Sequence, residues 1–317
     1  MVTDRNNHLD ESLETHKMKH IQDKVDAFKS KVDEVKQKLS DHYGTDAYYT
    51  FQSGSFAKHT AINIKFDIDI VIPFKHNSFD TLETMYNDVY EFLTNEYKDG
   101  TQIRKQKVSI GLTFPPDNKG YIVKLDIVPG RELSQNDYPD TGDLNLYFNE
   151  DHWGYKRGSH QKTNIKAQIN HISGKAYERK IIRLLKIWKN TNHQDYKSFM
   201  LELFTIKALK TYSGEMQLWD TLKYVMNYIS DNVVDESFQL IDPGNSNNNV
   251  LSPMTSLQRQ ILSNTMRIIV ENIDRDSNSI TTYFPINKEY QEKDYLYGNK
   301  NGGIYPSYPP SGQRFGE

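Results

Sequence analysis

Asp67 and Asp69 are the residues of this chain best placed to do chemistry. They flank Ile68 at the head of residues 66–74, FDIDIVIPF, whose alternation and β-branched content predict a strand. Residues i and i+2 of a strand share a face, so both carboxylates project together while Ile68 turns away. Adjacent carboxylates repel each other unless something neutralises them, and a divalent cation is the usual neutraliser. Hard oxygen donors select Mg²⁺, with Mn²⁺ as a substitute, over zinc. A third carboxylate, Asp126, stands in YIVKLDIVPG, opposite the apolar face of Val123, Leu125 and Ile127. A carboxylate in so apolar a strand needs a partner. If the two strands pair side by side, Asp67, Asp69 and Asp126 converge into a nest for two metal ions about 3.5–4 Å apart. One ion would activate an attacking hydroxyl, and the other would hold a triphosphate and its departing pyrophosphate.

Gly54-Ser55, twelve residues before Asp67 counted from Ser55, supplies the complementary half. Glycine lets the backbone approach a phosphate closely. Phe56-Ala57-Lys58-His59 can open a helix whose first amides face an anion, and the Ser55 hydroxyl can donate to the same phosphate. A lone Gly-Ser is usually a turn, and a lone Asp-x-Asp is usually an exposed edge. The ordered combination of strand, Gly-Ser, Asp-x-Asp and a later apolar strand with Asp126 is far more specific.

These residues need a scaffold, and the chain shows one. Met18, Ile21, Val25, Phe28, Val32, Val35 and Leu39 alternate at three and four residues, the spacing of a long amphipathic helix. We read it as lying across the back of a globular body rather than as a coiled-coil seam; the first ten residues read as a frayed end. Strands are predicted at residues 48–51, 66–74, 108–114 and 121–128, with a helix over 81–97. Residues 130–160, rich in Asp, Asn, Gly and Tyr, read as a long connection. From Lys175 onward the spacing is helical, over 177–188, 199–209, 218–229 and 257–273, with a polar loop at 242–250. The expected fold class is therefore α+β: a mixed sheet with helices in residues 1–160, a helical lobe in 161–298, a Gly/Pro-rich tail in 299–317, and a cleft between the lobes.

Composition limits the partners. A formal net charge of -3 argues against a stable nucleic-acid partner, which would call for a basic excess. The absence of cysteine excludes disulfides and thiolate zinc sites and suits a reducing cytoplasm. No stretch approaches the ~20 apolar residues of a membrane helix, and the N-terminus carries no signal-peptide pattern. His152, His160 and His171 lack metal-ligand spacing.

The segment GSFAKHTAINIKFDIDIVIPF resembles the signature of the DNA polymerase β-like nucleotidyltransferase superfamily. More narrowly it is similar to the bacterial cyclic-oligonucleotide synthases of anti-phage defence (the CD-NTase, or SMODS, type), relatives of cyclic GMP-AMP synthase and oligoadenylate synthase. The resemblance implies a polymerase β-like catalytic lobe with Gly54 and Ser55 on phosphate and Asp67, Asp69 and Asp126 on two Mg²⁺ ions. It implies NTP substrates and a cyclic di- or oligonucleotide product. In RKIIRLLKIWK, Arg179, Arg183 and Lys186 share a face, and the resemblance implies that Lys186 or Arg183 reaches the triphosphate; the sequence leaves the choice open. In KSFMLELF it implies Ser198 on phosphate and Phe199 stacked on a base, where the bland readings are a helix cap and a core aromatic. DPGNSNNNV also resembles a stretch of these synthases and has no catalytic role assigned. The tail ending Phe315-Gly316-Glu317 would suit a conjugation or activator partner encoded nearby; an untethered end is the plainer reading. The same chemistry could instead serve an RNA or protein acceptor, or a silent nucleotide-binding homologue could retain the fold.

Overall fold

A computed structural model of the protein describes residues 2–149 and 159–291. The sheet carries the catalytic candidates, and its strands are β1 (Phe51–Ser53), β2 (Ile68–Phe74), β3 (Gln102–Lys105), β4 (Ile110–Thr113), β5 (Lys124–Glu132), β6 (Leu144–Phe148) and β7 (Ser159–Thr163). Their order is β1-β2-β5-β4-β3, with β6 on the far end of β5 and β7 beside β6. β2 and β5 run parallel and the other pairs antiparallel, so the sheet is mixed as expected. Ile68, Ile70 and Ile72 face one side and are fully buried against Phe28, Val32, Val35 and Leu39 of helix α2 (Gln22–Tyr43) and Met85, Val89 and Leu93 of α4 (Leu82–Glu96). The 3-4 spacing of α2 is thus a core-facing stripe.

Two regions within residues 1–160 depart from the sequence reading. The N-terminus is not frayed: α1 (Arg5–Thr15) starts on Asp4, whose side chain accepts from the Asn7 amide. Leu9 and Leu13 of α1 are buried in the core of the helical lobe. His8 Nε2 bonds the Phe284 carbonyl at 2.9 Å, and Ser12 Oγ donates to the Pro285 carbonyl at 3.0 Å. Two leucines are too few to show a period, and the helices that order them lie more than 150 residues away. The supposed long connection also contains β6 and β7, paired from Leu144–Thr163 to Phe148–Ser159. Its alternation, Leu144 and Leu146 inward, is too short to stand out amid polar residues.

Glu132, at the end of β5, is fully buried and fixes this turn of chain. Burial alone would raise its carboxyl, but donors from the Asn136, His76 and Tyr138 amides and the Tyr48 hydroxyl hold it below the usual carboxylate range. Glu132→Gln, which turns an NH₂ group toward those donors, should lower stability by about 2 kcal/mol. An equilibrium urea titration is the check, with a lower midpoint and an unchanged slope expected.

The second lobe comprises α6 (Ile165–Ile172), α7 (Ala176–Thr191), α8 (Ser198–Leu209), α9 (Leu218–Val233), α10 (Ser256–Arg275) and α11 (Ile280–Tyr283). Helix α8 is buried on nearly every side, with Met200, Leu201, Leu203, Phe204 and Ile206 in the core, which makes it the lobe's central helix. The segment read as a polar loop forms a small hairpin, β8 (Ile241–Asp242) and β9 (Asn245–Asn249). Among the described residues no helix is long and apolar enough to cross a membrane.

Candidate active site

Register brings the site together. Ser53 of β1 faces Asp69 of β2, Asp69 faces Asp126 of β5, and Asp126 faces Gly111 of β4. These four residues form one row across four strands, with the two carboxylates on neighbouring strands. Asp67 lies just outside β2 and is exposed, yet its charge acts on both neighbours. Burial first, then Asp67, then Asp126 push the Asp69 carboxyl up to about 7, against the pull of Lys58. Asp126 is raised by burial and by Asp67, and Gln106 opposes this by donating Nε2–H to Oδ1 at 3.0 Å.

Gly54 follows Ser53 directly in the left-handed region, φ +67°, and a Cβ there would lie 1.7 Å from Asp69 Oδ2. The turn and the carboxylate can coexist only because this residue is glycine. On the other flank a Cβ on Gly111 would meet the Gln106 amide at 2.4 Å and Asp126 at 3.2 Å. The helix expected after Gly-Ser is a single turn, α3 (Gly54–Ala57). Gly54→Ala should cost about 1–2 kcal/mol from its backbone alone. In a thermal melt this should appear as a drop of a few degrees, roughly 2–4 °C per kcal/mol; a drop no larger than that would mean that Asp69 moves aside freely, and an unchanged melt would mean that the turn does not need the left-handed conformation.

The row opens into a cleft of about 650 Å³ between the lobes, lined by Gly54, Ser55, Asp69, Lys186, Ser198 and Phe199 among others. Six of the nine residues named from the sequence therefore line one cavity, and Asp67, Asp126 and Arg183 do not. Lys186 on α7 is buried and donates to the Thr60 carbonyl at 2.7 Å; Arg183, one turn earlier, donates to the His59 carbonyl at 3.2 Å and does not line the cleft. This geometry favours Lys186 over Arg183 as the cation facing a ligand. Ser198 is the first residue of α8 with Lys197 at the cap, so it is not the helix cap; its Oγ lies 3.4 Å from Lys189 Nζ. Phe199 presents one ring face to the Lys58 ammonium at 4.4 Å. His160 and His171 do not line the cleft, and His152 lies outside the described residues.

Sequence reasoning missed three groups here. Lys58, buried one turn after Ser55, pairs with buried Glu202 of α8 at 2.8 Å and so ties the Gly-Ser turn to the helical lobe. Gln106 orients Asp126. Asp242 and its hairpin, left without a role, form part of the cleft wall.

The donor set suits a hard divalent ion, though among the described residues no three His, Cys, Asp or Glu side chains are gathered tightly enough to hold a metal alone. Mg²⁺ sites commonly use one or two carboxylates together with substrate phosphates. The cross-strand pair Asp69 and Asp126, raised by burial and the Asp67 charge, fits that demand.

Comparison with known proteins bears on the fold and the family. Residues 6–147 match the profile of the Second Messenger Oligonucleotide or Dinucleotide Synthetase domain. A cyclic AMP-AMP-AMP synthase of Escherichia coli (strain MS 115-1) is 24% identical over 262 residues, covering 72% of this chain and 77% of the relative. The structure of E. coli MS115-1 CdnC with ATP superposes with a TM-score of 0.65 at 21% identity, covering 85% of this chain and 94% of that one. The Bradyrhizobium diazoefficiens CD-NTase CdnG in complex with GTP superposes with a TM-score of 0.68 at 14% identity, covering 88% and 95%. The two-lobed α+β fold is shared with these enzymes.

Proposed function

We propose that this chain, whose residues 6–147 match the profile of the Second Messenger Oligonucleotide or Dinucleotide Synthetase domain, is a Mg²⁺-dependent nucleotidyltransferase of the CD-NTase type that joins NTPs into a cyclic di- or oligonucleotide. The observation that carries this reading is the row Ser53–Asp69–Asp126–Gly111, whose Ser53 and Asp69 line the inter-lobe cleft together with Gly54 and Ser55. The setting would be anti-phage signalling in a bacterial cytoplasm.

Asp67, Asp69 and Asp126 would hold the metal, which when bound neutralises their repulsion and anchors the triphosphate. The remaining work belongs to this chain's residues. Gly54 lets phosphate approach beside Asp69, and Ser55 and Ser198 offer hydroxyls from opposite lobes. Lys186 supplies positive charge where pyrophosphate leaves. Asp126, raised by burial and held by Gln106, accepts the proton of a ribose hydroxyl as it attacks the α-phosphate of a second NTP. A P–O bond forms to the ribose oxygen, the bond to pyrophosphate breaks, and a second such step closes the ring. Positioning and electrostatics supply most of the acceleration.

Incubation with all four NTPs and Mg²⁺, followed by phosphatase and mass spectrometry, tests the product. A phosphatase-resistant cyclic species is expected; only linear products would point to another acceptor, as in the RNA- or protein-modifying alternative. Residues 299–317, which would suit a conjugation or activator partner but read more plainly as an untethered end, lie outside the described residues.

A further inference from the structure

One oxygen of Asp126 is held and the other is left open. Gln106 Nε2 donates to Asp126 Oδ1 at 3.0 Å. Among the described residues no other side chain donates to this carboxylate, and no cation forms an ion pair with it. The second oxygen, Oδ2, receives no hydrogen bond among the described residues, yet it is not sealed from solvent. Because a carboxylate only accepts, the Gln106 amide must turn its NH₂ group inward. Its own oxygen then faces the other way, where Ser109 Oγ donates to it at 2.8 Å. Reversed, the amide would set oxygen against the carboxylate and lose the serine as a donor.

The turn that carries Gln106 and Ser109 is braced from the core of the sheet lobe. It joins β3 to β4, and the Gln106 backbone N–H donates to the Ser109 carbonyl at 2.9 Å. The hydroxyl of buried Tyr86, on α4, lies 2.8 Å from both the Gln106 and the Ser109 carbonyls and 3.0 Å from the Gln106 nitrogen. The Asn149 backbone N–H donates to the Lys107 carbonyl at 2.8 Å. Gly111, opposite Asp126 in the register, leaves the space that the Gln106 amide occupies. Lys107 and Val108, at the tip of the turn, line the inter-lobe cleft. The chemistry of the holder matters as much as its place. A lysine or arginine would fix the carboxylate by cancelling its charge. An amide fixes the direction and leaves the negative charge in place, as a ligand to a divalent ion requires.

We propose that Gln106 and Ser109 are a positioning pair for the divalent ion: they hold Oδ1 of Asp126 and leave Oδ2 as the oxygen offered to the metal. Both residues act through Asp126. Ser109 fixes the amide, the amide fixes the carboxylate, and Tyr86 fixes the turn beneath them. Nothing in the run QKVS shows this, because Asp126 is 20 residues away and on another strand.

The inference rests on the nucleotidyl-transfer reading with its metal at Asp126, and metal binding measured apart from turnover separates the two. Mn²⁺ is titrated into the full chain without nucleotide, and the free ion is followed by electron paramagnetic resonance. Gln106→Met keeps the length of the side chain and removes its amide, so Mn²⁺ affinity should fall about 10–100-fold. Ser109→Ala frees the amide to turn and should weaken binding by a smaller factor. Ser109→Thr keeps the hydroxyl and should match the wild-type chain. In turnover, the Mg²⁺ concentration for half-maximal rate should rise in Gln106→Met, while KM for NTP at saturating Mg²⁺ holds. A purely structural role would instead lower the melting temperature in chelator and leave the Mn²⁺ affinity of the folded chain unchanged. That result, or equal affinities in Ser109→Ala and Ser109→Thr, would overturn this inference alone. If Gln106→Met fails to fold, the two serine variants decide it. A wild-type chain that binds no Mn²⁺ would overturn the metal reading of the aspartate row and this inference with it.

Discussion

Asp67→Asn combined with Asp69→Asn is expected to abolish pyrophosphate release from mixed NTPs, by at least about 10³-fold, while the chain stays folded. The two expectations come from the same electrostatics. Asp69 sits between Ser53 and Asp126 in the cross-strand row, and burial and its two acidic neighbours push it up to about 7. Such a cluster is unfavourable without a cation, so its purpose is not structural. Asparagine keeps the shape of each side chain and removes the charge, relieving repulsion on Asp126 as well. The melting temperature of the double variant in chelator should therefore equal or exceed that of the unaltered protein. Addition of Mg²⁺ should raise the melting temperature of the unaltered protein only, because binding to the folded state alone stabilises it. Undiminished synthesis by the variant would sink the assignment of these carboxylates. Lost activity together with a collapsed melt would mean that they serve the fold instead.

The parts of this site that could be read from the chain are those written in short-range periodicity. Asp69 stands at the head of β2 with Asp67 two residues before it, just outside the strand, and α2 announces its buried stripe over 22 residues. The place of Asp126 depended on which strands pair, and the parallel register Ile68–Leu125 to Phe74–Arg131 is a tertiary fact. The side chains that hold the site in place left no local trace. Lys58 is one lysine in a polar turn until Glu202, 144 residues later, meets it in a buried pair. Gln106 is unremarked between two strands until it donates to Asp126. Helix α1 is ordered by contacts with α9 and with the Phe284 region, near the far end of the described chain. Sequence periods report which face is buried and not what lies against it, so catalytic carboxylates are easier to find than the residues that orient them.

Lys186→Met should divide stability from function in opposite directions. Lys186 is 5% exposed and its ammonium donates to the Thr60 carbonyl at 2.7 Å. Burial pushes its pKa down to about 8, against the attraction of Asp67 and Glu202. A lysine lowered in the folded state contributes stability above its ordinary pKa of 10.5 that is lost as pH falls through about 8. At pH 7 the free chain therefore carries a buried charge at a cost of up to about 3 kcal/mol. Methionine fills the same volume without that charge, although it leaves Thr60 without a donor, so the gain in stability at pH 7 should be about 1 kcal/mol. The gain should shrink toward pH 10, where lysine is neutral. Activity should move the other way, with kcat/KM falling about 10²–10³-fold, because the ammonium finds its counter-charge only when a triphosphate occupies the cleft. In the unaltered protein KM for NTP should rise as pH climbs past about 8 and the lysine loses its proton. Lys186→Arg keeps its charge over this range and should lack that rise, even if its overall rate is lower. Paired melts at pH 7 and pH 10 with a KM profile across pH 7–9.5 decide the matter. A methionine variant that is less stable at pH 7 and keeps its NTP affinity would make Lys186 a structural tether to Thr60, and Lys189, which already touches Ser198, would become the residue to examine for triphosphate binding.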